Sequence, residues 1–191
     1  VVKKGVFLRL RKRKKVQALF WGLFSSMSSH AEKKAKKVFV DFLNQGGLKL
    51  LNELVIDSSP ELLVEVLKVA AKDTTPVAYY CTAGKDRTGI VTMLLLSILG
   101  ASDDDIVEDY TLSDSAYEVL NDKKAMVASL KQADLDPEVF LTAKAPVMEH
   151  TLAYTRAKYG SLDKFLDAYG FDDEWREKLR KKAGRPSLTS T

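Results

Sequence analysis

With one cysteine, Cys81, in 191 residues, the chain can form no internal disulfide. That suits a reducing compartment and a cytoplasmic protein, and it leaves one thiol whose presence needs a purpose. Long apolar runs are lacking too. The longest, residues 89–101, contains Thr92 and Ser97 and falls short of the roughly 20 residues that a spanning helix requires. The chain opens at Val1 without a basic region, an apolar stretch and a small-residue cleavage site, so no secretory leader is expected. Histidine is scarce: His30 and His150 lie far in sequence from the thiol and read as helix-surface residues rather than catalytic bases. Internal repeats and low-complexity tracts are absent as well. Hydrophobic residues at 46% and charged residues at 29% sit near globular averages, which excludes a disordered chain, a collagen-like fibre and a disulfide scaffold. The length suits a single domain over residues 1–191, with a basic N-terminal segment at 1–37, a core at 38–184 and a frayed tail at 185–191.

Charge is present in quantity but unevenly placed. Residues 1–40 hold 12 lysines and arginines against one acid, Glu32, whereas the remaining 151 residues hold 18 against 25. Arg9, Arg11, Lys12, Arg13, Lys14 and Lys15 are interleaved with Phe7, Leu8, Leu10, Trp21 and Phe24. Such a mixture suits either peripheral contact with an anionic membrane or, as the commoner arrangement, a solvated basic loop beside a core helix. No zinc-ligand pattern, recognition-helix motif or aromatic RNA-binding signature accompanies it, so no specific nucleic acid is expected.

Periodicity supplies most of the chain with helices. Ala35, Val38, Phe39, Phe42 and Leu43 recur at helical spacing over 31–43, and Gly46 with Gly47 supplies a stop before a second helix at 48–55. Ser59, Pro60 and Glu61 open a third helix that should run to about Lys72. After a break at Thr74, Thr75 and Pro76, residues 77–80 (Val-Ala-Tyr-Tyr) form a β-prone run read as a buried strand ending at Cys81. Residues 88–99 are almost continuously apolar and are closed by Gly100, giving a unit of strand, loop and buried helix. Ser102 with Asp105 resembles a capping box at the head of an acidic helix. Further helices are expected at 114–132, from Pro146 to a stop at Gly160, and at 161–169 and 172–183. The expected class is α/β: a small central sheet flanked by helices, with a helix-rich C-terminal half and the loop at the carboxyl end of a strand.

Residues 81–87 (Cys-Thr-Ala-Gly-Lys-Asp-Arg) place a cysteine, five residues and an arginine ahead of Thr88, Gly89 and an apolar helix. Each residue type has a use there. A loop between a strand end and a helix N-terminus turns successive amides inward, toward the positive end of the helix dipole, which is a site for a dianionic phosphate. Gly84 permits the turn. The same dipoles, with Arg87 nearby, favour thiolate at Cys81. Arg87 offers a planar fork for two phosphoryl oxygens, and Thr88 can donate its hydroxyl to the sulfur. A buried structural cysteine is the commonest fate of a lone thiol, but here the spacing, Gly84, Thr88 and the local context agree independently on a phosphate loop. A nucleotide loop is excluded, because Asp86 follows Lys85 where Ser or Thr is needed and Tyr79 stands five positions before Gly84.

Residues 81–89, CTAGKDRTG, resemble the signature loop of the cysteine-dependent protein tyrosine phosphatase superfamily, and the GKDRTG form is similar to the tyrosine phosphatase family of bacteria, fungi and plants. Residues 94–100, the run Ile106, Val107, Glu108, Asp109, Tyr110, and Tyr159, Gly160, Ser161 with Tyr169, Gly170 extend the resemblance across roughly residues 38–182. The chain departs from the family's pattern at Tyr80, where a histidine is usual, and upstream, where the family's Asn-Phe-Arg-Asp element and Asp-Leu-Arg strand are missing. It therefore looks N-terminally shortened.

The resemblance implies two-step phosphoryl transfer on a phosphorylated protein or a phosphoinositide, without a metal or other cofactor. Cys81 is the nucleophile, Arg87 holds the phosphoryl oxygens, and Asp86 is the proton donor. Thr82, Ala83, Gly84, Lys85, Thr88 and Gly89 bind substrate. Asp57 is a second candidate donor, whereas Asp41 and Asp73 read as helix-face and helix-end residues. Lys85 suits either a second substrate phosphate or an ordinary exposed position. The alternatives are a catalytically impaired phosphate-binding pseudophosphatase, suggested by Tyr80 and the shortened start, and a thiol-dependent oxyanion reductase. The reductase ranks low because no second cysteine can resolve it.

Overall fold

A computed structural model describes residues 9, 10, 14, 15, 29–72, 75–81, 83–119 and 123–184, and every regular element among them is helical. Most of the basic segment, with Phe7, Trp21 and Phe24, lies outside the described residues, as do Asp73, Thr82 and the tail 185–191. The chain divides into two compact units, residues 1–58 with 114–142, and residues 59–113 with 143–191.

In the first unit, α1 (Ser29–Ser58) joins the two helices expected on either side of Gly46 and Gly47. Gly47, at φ 58° and ψ −153°, leaves helical geometry, so the span is two helices that meet at a kink where the glycine pair was expected to separate them. Leu10, Val38 and Leu54 form its buried cluster, with Phe39, Phe42, Leu43 and Leu50 packed against them. Arg9 forms ion pairs with Glu53 and Asp57. Here α1 packs against α6 (Pro137–Phe140), which also meets α5 (Lys123–Gln132). Asn44 clamps the intervening turn by donating to the Asp134 carbonyl at 3.0 Å and accepting from the Asp136 amide at 3.1 Å.

The second unit contains the loop of interest. Its α2 (Pro60–Lys72) opens as expected and buries Pro60, Leu63, Val64, Leu67, Ala70 and Ala71, one stripe at helical spacing. Next, α3 (Asp86–Ile98) buries Ile90, Val91, Met93, Leu94 and Ile98 and packs against α2 and the two C-terminal short helices. The expected capping box heads α4 (Asp103–Val119): Ser102 Oγ accepts from the Asp105 amide at 3.2 Å, and the Ser102 amide donates to the Asp105 carboxylate at 3.0 Å. Gly160 ends α7 (Ala145–Tyr159) at φ 91°, and Ser161 caps α8 (Leu162–Ala168) by accepting from Lys164 N at 3.0 Å. Finally α9 (Asp173–Lys182) lies against α2 and supplies two cations to backbone carbonyls. Arg180 Nε donates to the Ile98 carbonyl at 2.9 Å, and Lys182 Nζ donates to Ala70 O at 2.8 Å and Thr75 O at 3.0 Å. Carbonyls near a helix C-terminus lack intrahelical donors, so these cations answer both the orphan acceptors and the negative dipole ends of α2 and α3.

The α/β expectation does not hold. No strand occurs among the described residues, and residues 77–81, expected as a buried strand, run as irregular chain. The physical reason lies in what a strand needs. Valine and tyrosine favour β structure when cross-strand and same-face neighbours cover them, and a lone strand has neither. Val77 and Tyr80 are instead exposed.

Candidate active site

Residues 83–85 form bends between the irregular segment and the first turn of α3, so Asp86, Arg87, Thr88 and Gly89 all lie at the positive end of that helix. Gly84 makes the turn at φ 67°, a left-handed conformation that a side chain disfavours, and its amide donates to the Cys81 carbonyl at 3.2 Å. The loop closes into the helix through Gly89 N, which donates to Lys85 O at 2.7 Å.

Around the Cys81 sulfur lie the Thr88 hydroxyl and loop amides, whereas Arg87, also expected to favour the thiolate, is not among the groups that act on it. Partial burial pushes the thiol up. The Thr88 hydroxyl and the amides of Thr88, Ala83 and Gly84 outweigh it, and the pKa falls to about 7. Thr88 Oγ1 is buried and forms no full hydrogen bond. Its interaction with the sulfur is therefore loose in geometry, yet it remains among the groups that favour the thiolate. Close to neutral pH the sulfur is thus divided between thiol and thiolate.

The neighbouring charged residues are arranged differently from one another. Arg87 is exposed on the first turn of α3. Asp86 is largely buried, with 16% of its side chain accessible, and accepts a hydrogen bond from Lys85 Nζ at 2.7 Å. Lys85 is among the most buried side chains of the protein, at 1% exposure. The exposed loop lysine considered from sequence is therefore absent. Asp57 and Asp41, the other carboxylates weighed from sequence, belong to the first unit, where Asp57 pairs with Arg9 and Asp41 lies 3.6 Å from Lys37. His150 sits on α7, half-buried and stacked on Tyr154. Among the described residues no group of three His, Cys, Asp or Glu side chains could hold a metal ion.

Two supports escaped the sequence reading. Tyr79 Oη and Thr92 Oγ1 lie 2.9 Å apart, so a hydrogen bond ties the segment before Cys81 to the second turn of α3. Gly89 faces Tyr110 of α4 so closely that a Cβ there would stand 3.0 Å from the ring. A methyl group there would make the Tyr110 ring shift by a few tenths of an ångström, so the approach favours glycine. Nothing local in the sequence announces either contact.

Comparison with known proteins agrees with the loop. A family model described as the tyrosine phosphatase family matches residues 6–183. A tyrosine-protein phosphatase of Nostoc commune is 28% identical over 134 residues, 67% of this chain and 46% of that protein. The triple specificity protein phosphatase PtpB of Mycobacterium tuberculosis is 38% identical over 85 residues, 44% of this chain and 30% of its own length. The chain thus spans less than half the length of these relatives. With the match covering nearly all of its residues, the chain belongs to the tyrosine phosphatase family.

Proposed function

We propose that this chain is a cysteine-dependent phosphatase that hydrolyses phosphotyrosine and other phosphate monoesters. The observation that carries the proposal is the sulfur of Cys81, brought to a pKa of about 7 by three amides and a hydroxyl at the start of a helix. Donors that stabilise a thiolate also suit the equatorial oxygens of a phosphoryl group, because both are anions held over the same positive helix end.

In the first step the Cys81 thiolate attacks phosphorus. The S–P bond forms as the P–O bond to the leaving group breaks, and the leaving oxygen takes a proton from the Asp86 carboxyl group. Arg87 and the amides of Ala83, Gly84 and Thr88 hold the three equatorial oxygens. In the second step water attacks phosphorus and gives a proton to the Asp86 carboxylate. The S–P bond breaks, and inorganic phosphate and the thiolate are released. The single thiol, without a second cysteine to pair with, fits a reducing, cytoplasmic setting. No described helix is long and apolar enough to cross a membrane. The name of the M. tuberculosis relative supports acceptance of more than one class of phosphoester, and phosphoserine, phosphothreonine and phosphoinositides are the substrates to assay after phosphotyrosine.

Wild type and Cys81→Ser are compared on phenyl phosphate and a phosphotyrosine peptide. Turnover by wild type that is abolished in Cys81→Ser, with a phosphorylated Cys81 trapped by rapid acid quench, is the expected result. Equal, near-zero rates in both, with phosphate still bound, would leave the non-catalytic phosphate-binding reading.

A further inference from the structure

The candidate active site leaves the more basic of the two units without a use. Residues 1–58 and 114–142, the first unit, hold 16 lysines and arginines against 10 acids, whereas residues 59–113 and 143–191 hold 14 against 16. Within the first unit α5 buries none of its residues. It carries Lys123, Lys124 and Lys131, all exposed, and no acid. Met126, Val127 and Leu130 share one side of it at helical spacing and are each only partly covered. A helix this short is marginal in water by itself, and a packed apolar face usually holds it. Here the C-terminal end is tied down: the Leu135 amide donates to Leu130 O at 2.9 Å, and Asp134 accepts from Lys36 Nζ and Asn44 Nδ2, each at 3.0 Å. Those contacts bring the end of α5 beside the first turns of α1, where Lys33 and Lys37 are exposed as well. Asp134 and Asp41 each pair with one lysine of α1, at 3.0 and 3.6 Å. Among the described residues no carboxylate pairs with Lys33, Lys123, Lys124 or Lys131.

We propose that this part of the first unit, α5 with the start of α1, docks on an anionic lipid bilayer. The lysines meet acidic headgroups, and the uncovered parts of Met126, Val127 and Leu130 enter the boundary between headgroups and acyl chains. The phosphates of a nucleic acid would meet the lysines but leave those apolar side chains wet, whereas a bilayer surface answers both. The sequence before α1 has the same mixed composition, with Arg11, Lys12 and Arg13 among Phe7, Trp21 and Phe24. A cluster of about four to eight basic residues is what attachment to an anionic leaflet uses, each strengthening it by about fivefold. The attachment is peripheral, since no described helix is long and apolar enough to span.

Flotation of the full chain with vesicles of phosphatidylcholine, with or without about one-third phosphatidylserine, tests this. The chain is expected to float with the anionic vesicles at about 0.1 M salt, to leave them at about 0.5 M, and to ignore the neutral ones. Lys123→Gln, Lys124→Gln and Lys131→Gln together should weaken attachment about 100-fold, with the melting temperature kept because all three positions are exposed. Lys124→Glu, a change of two charges at one exposed position, should cost about 25-fold and is read instead if the triple variant melts lower. Removing the same charge from the second unit, by Lys144→Gln, Lys164→Gln and Lys181→Gln, should cost less than about threefold. Equal losses in the two triple variants would assign attachment to overall charge and overturn the inference. So would equal binding to neutral vesicles, or no binding to anionic ones, including the case in which the chain binds duplex DNA or RNA instead. Flotation is read without turnover, so a chain with no phosphatase activity leaves this inference standing, and a phosphatase that does not float removes it alone.

Discussion

Cys81 has two unlike flanks. After it, residues 83–85 bend and residues 86–98 form a helix, and the amides of Ala83, Gly84 and Thr88 with the Thr88 hydroxyl act on the sulfur, while Lys85 and Ile90 are buried. Before it, residues 76–80 lie open: Val77 is 37% and Tyr80 88% exposed, and the tethers are long-range, from Tyr79 to Thr92 and from Lys182 to Thr75 O. The sulfur takes its acidity from the following side alone, since every group that lowers it is contributed by Ala83, Gly84 or Thr88. A helix N-terminus and one tight turn suffice to favour the thiolate, and no sheet behind the loop is needed for that effect. The preceding flank contributes placement of the Cys81 backbone rather than its electrostatics.

If that division holds, the largest effects should follow from damage to the later flank. Gly84→Ala would put a side chain at φ 67°, where the left-handed conformation costs about 1–2 kcal/mol; no atom lies within 4 Å of the added methyl, so the strain is purely conformational. The turn should open, taking the Ala83 and Gly84 amides away from the sulfur. The expected outcome is a loss of phosphatase activity of about 100-fold, comparable to removing one preorganised donor. Iodoacetamide alkylation followed against pH should shift its midpoint upward from about 7. An unchanged midpoint would refute the assignment of acidity to this turn.

Thr88→Val is a milder blow to the same flank. Removing one hydroxyl should raise the thiol pKa and slow alkylation below neutral pH, while the three amides keep it under the ordinary thiol value. The linkage has a definite sign. The folded thiol titrates lower than the unfolded one, so its contribution to stability is full above the unfolded pKa of about 8.5 and is lost as pH falls through about 7. Thermal melting should therefore rise between pH 7 and 9 in wild type and rise less in Thr88→Val. Equal slopes over that interval would show that the hydroxyl does not act on the sulfur.

The flanks also differ in how far sequence reveals them. Spacing and residue type singled out Cys81, Gly84, Arg87 and Thr88 as a candidate loop, and local rules placed Pro60 at a helix start, Ser102 with Asp105 in a capping box and Gly160 at a helix end. These features involve residues a few positions apart, which is the range over which residue type determines geometry. The strand at 77–80 failed because β propensity is a statement about neighbours that only the folded chain can supply or withhold. Lys85 escaped for the opposite reason: its residue type argues for exposure, and only the packing around α3 puts it inside. The same applies to the buried Arg176, which donates to Phe171 O and Asp167, each at 2.8 Å, and to the cations of α9 that cap α2 and α3 from more than 80 residues away in sequence.

On the earlier flank smaller effects are expected. Tyr79→Phe removes the hydroxyl shared with Thr92 and should cost about 1 kcal/mol of stability, the ordinary net value of one partly buried hydrogen bond. Chemical denaturation would register it as a lower midpoint at constant m-value. The alkylation midpoint of Cys81 should stay where it is, because Tyr79 is not among the groups acting on the sulfur. Movement of that midpoint would mean that the tether sets the depth of the sulfur in its ring of amides, and the two flanks would no longer be separable.

The smallest effect belongs to Tyr80, the residue that stands where relatives of this loop usually carry histidine. At 88% exposure its ring contacts too little to matter for packing, and surface changes of this kind stay within about 0.5 kcal/mol. Tyr80→His restores the usual residue type without restoring an environment that could use it. An imidazole orders a loop only when backbone and neighbours hold it against the loop, and at this position the side chain points to solvent. Activity, melting temperature and alkylation midpoint should all match wild type. A marked gain in turnover would instead place the histidine's influence on the sulfur itself, and the earlier flank would have to be credited with part of the acidity assigned here to the first turn of α3.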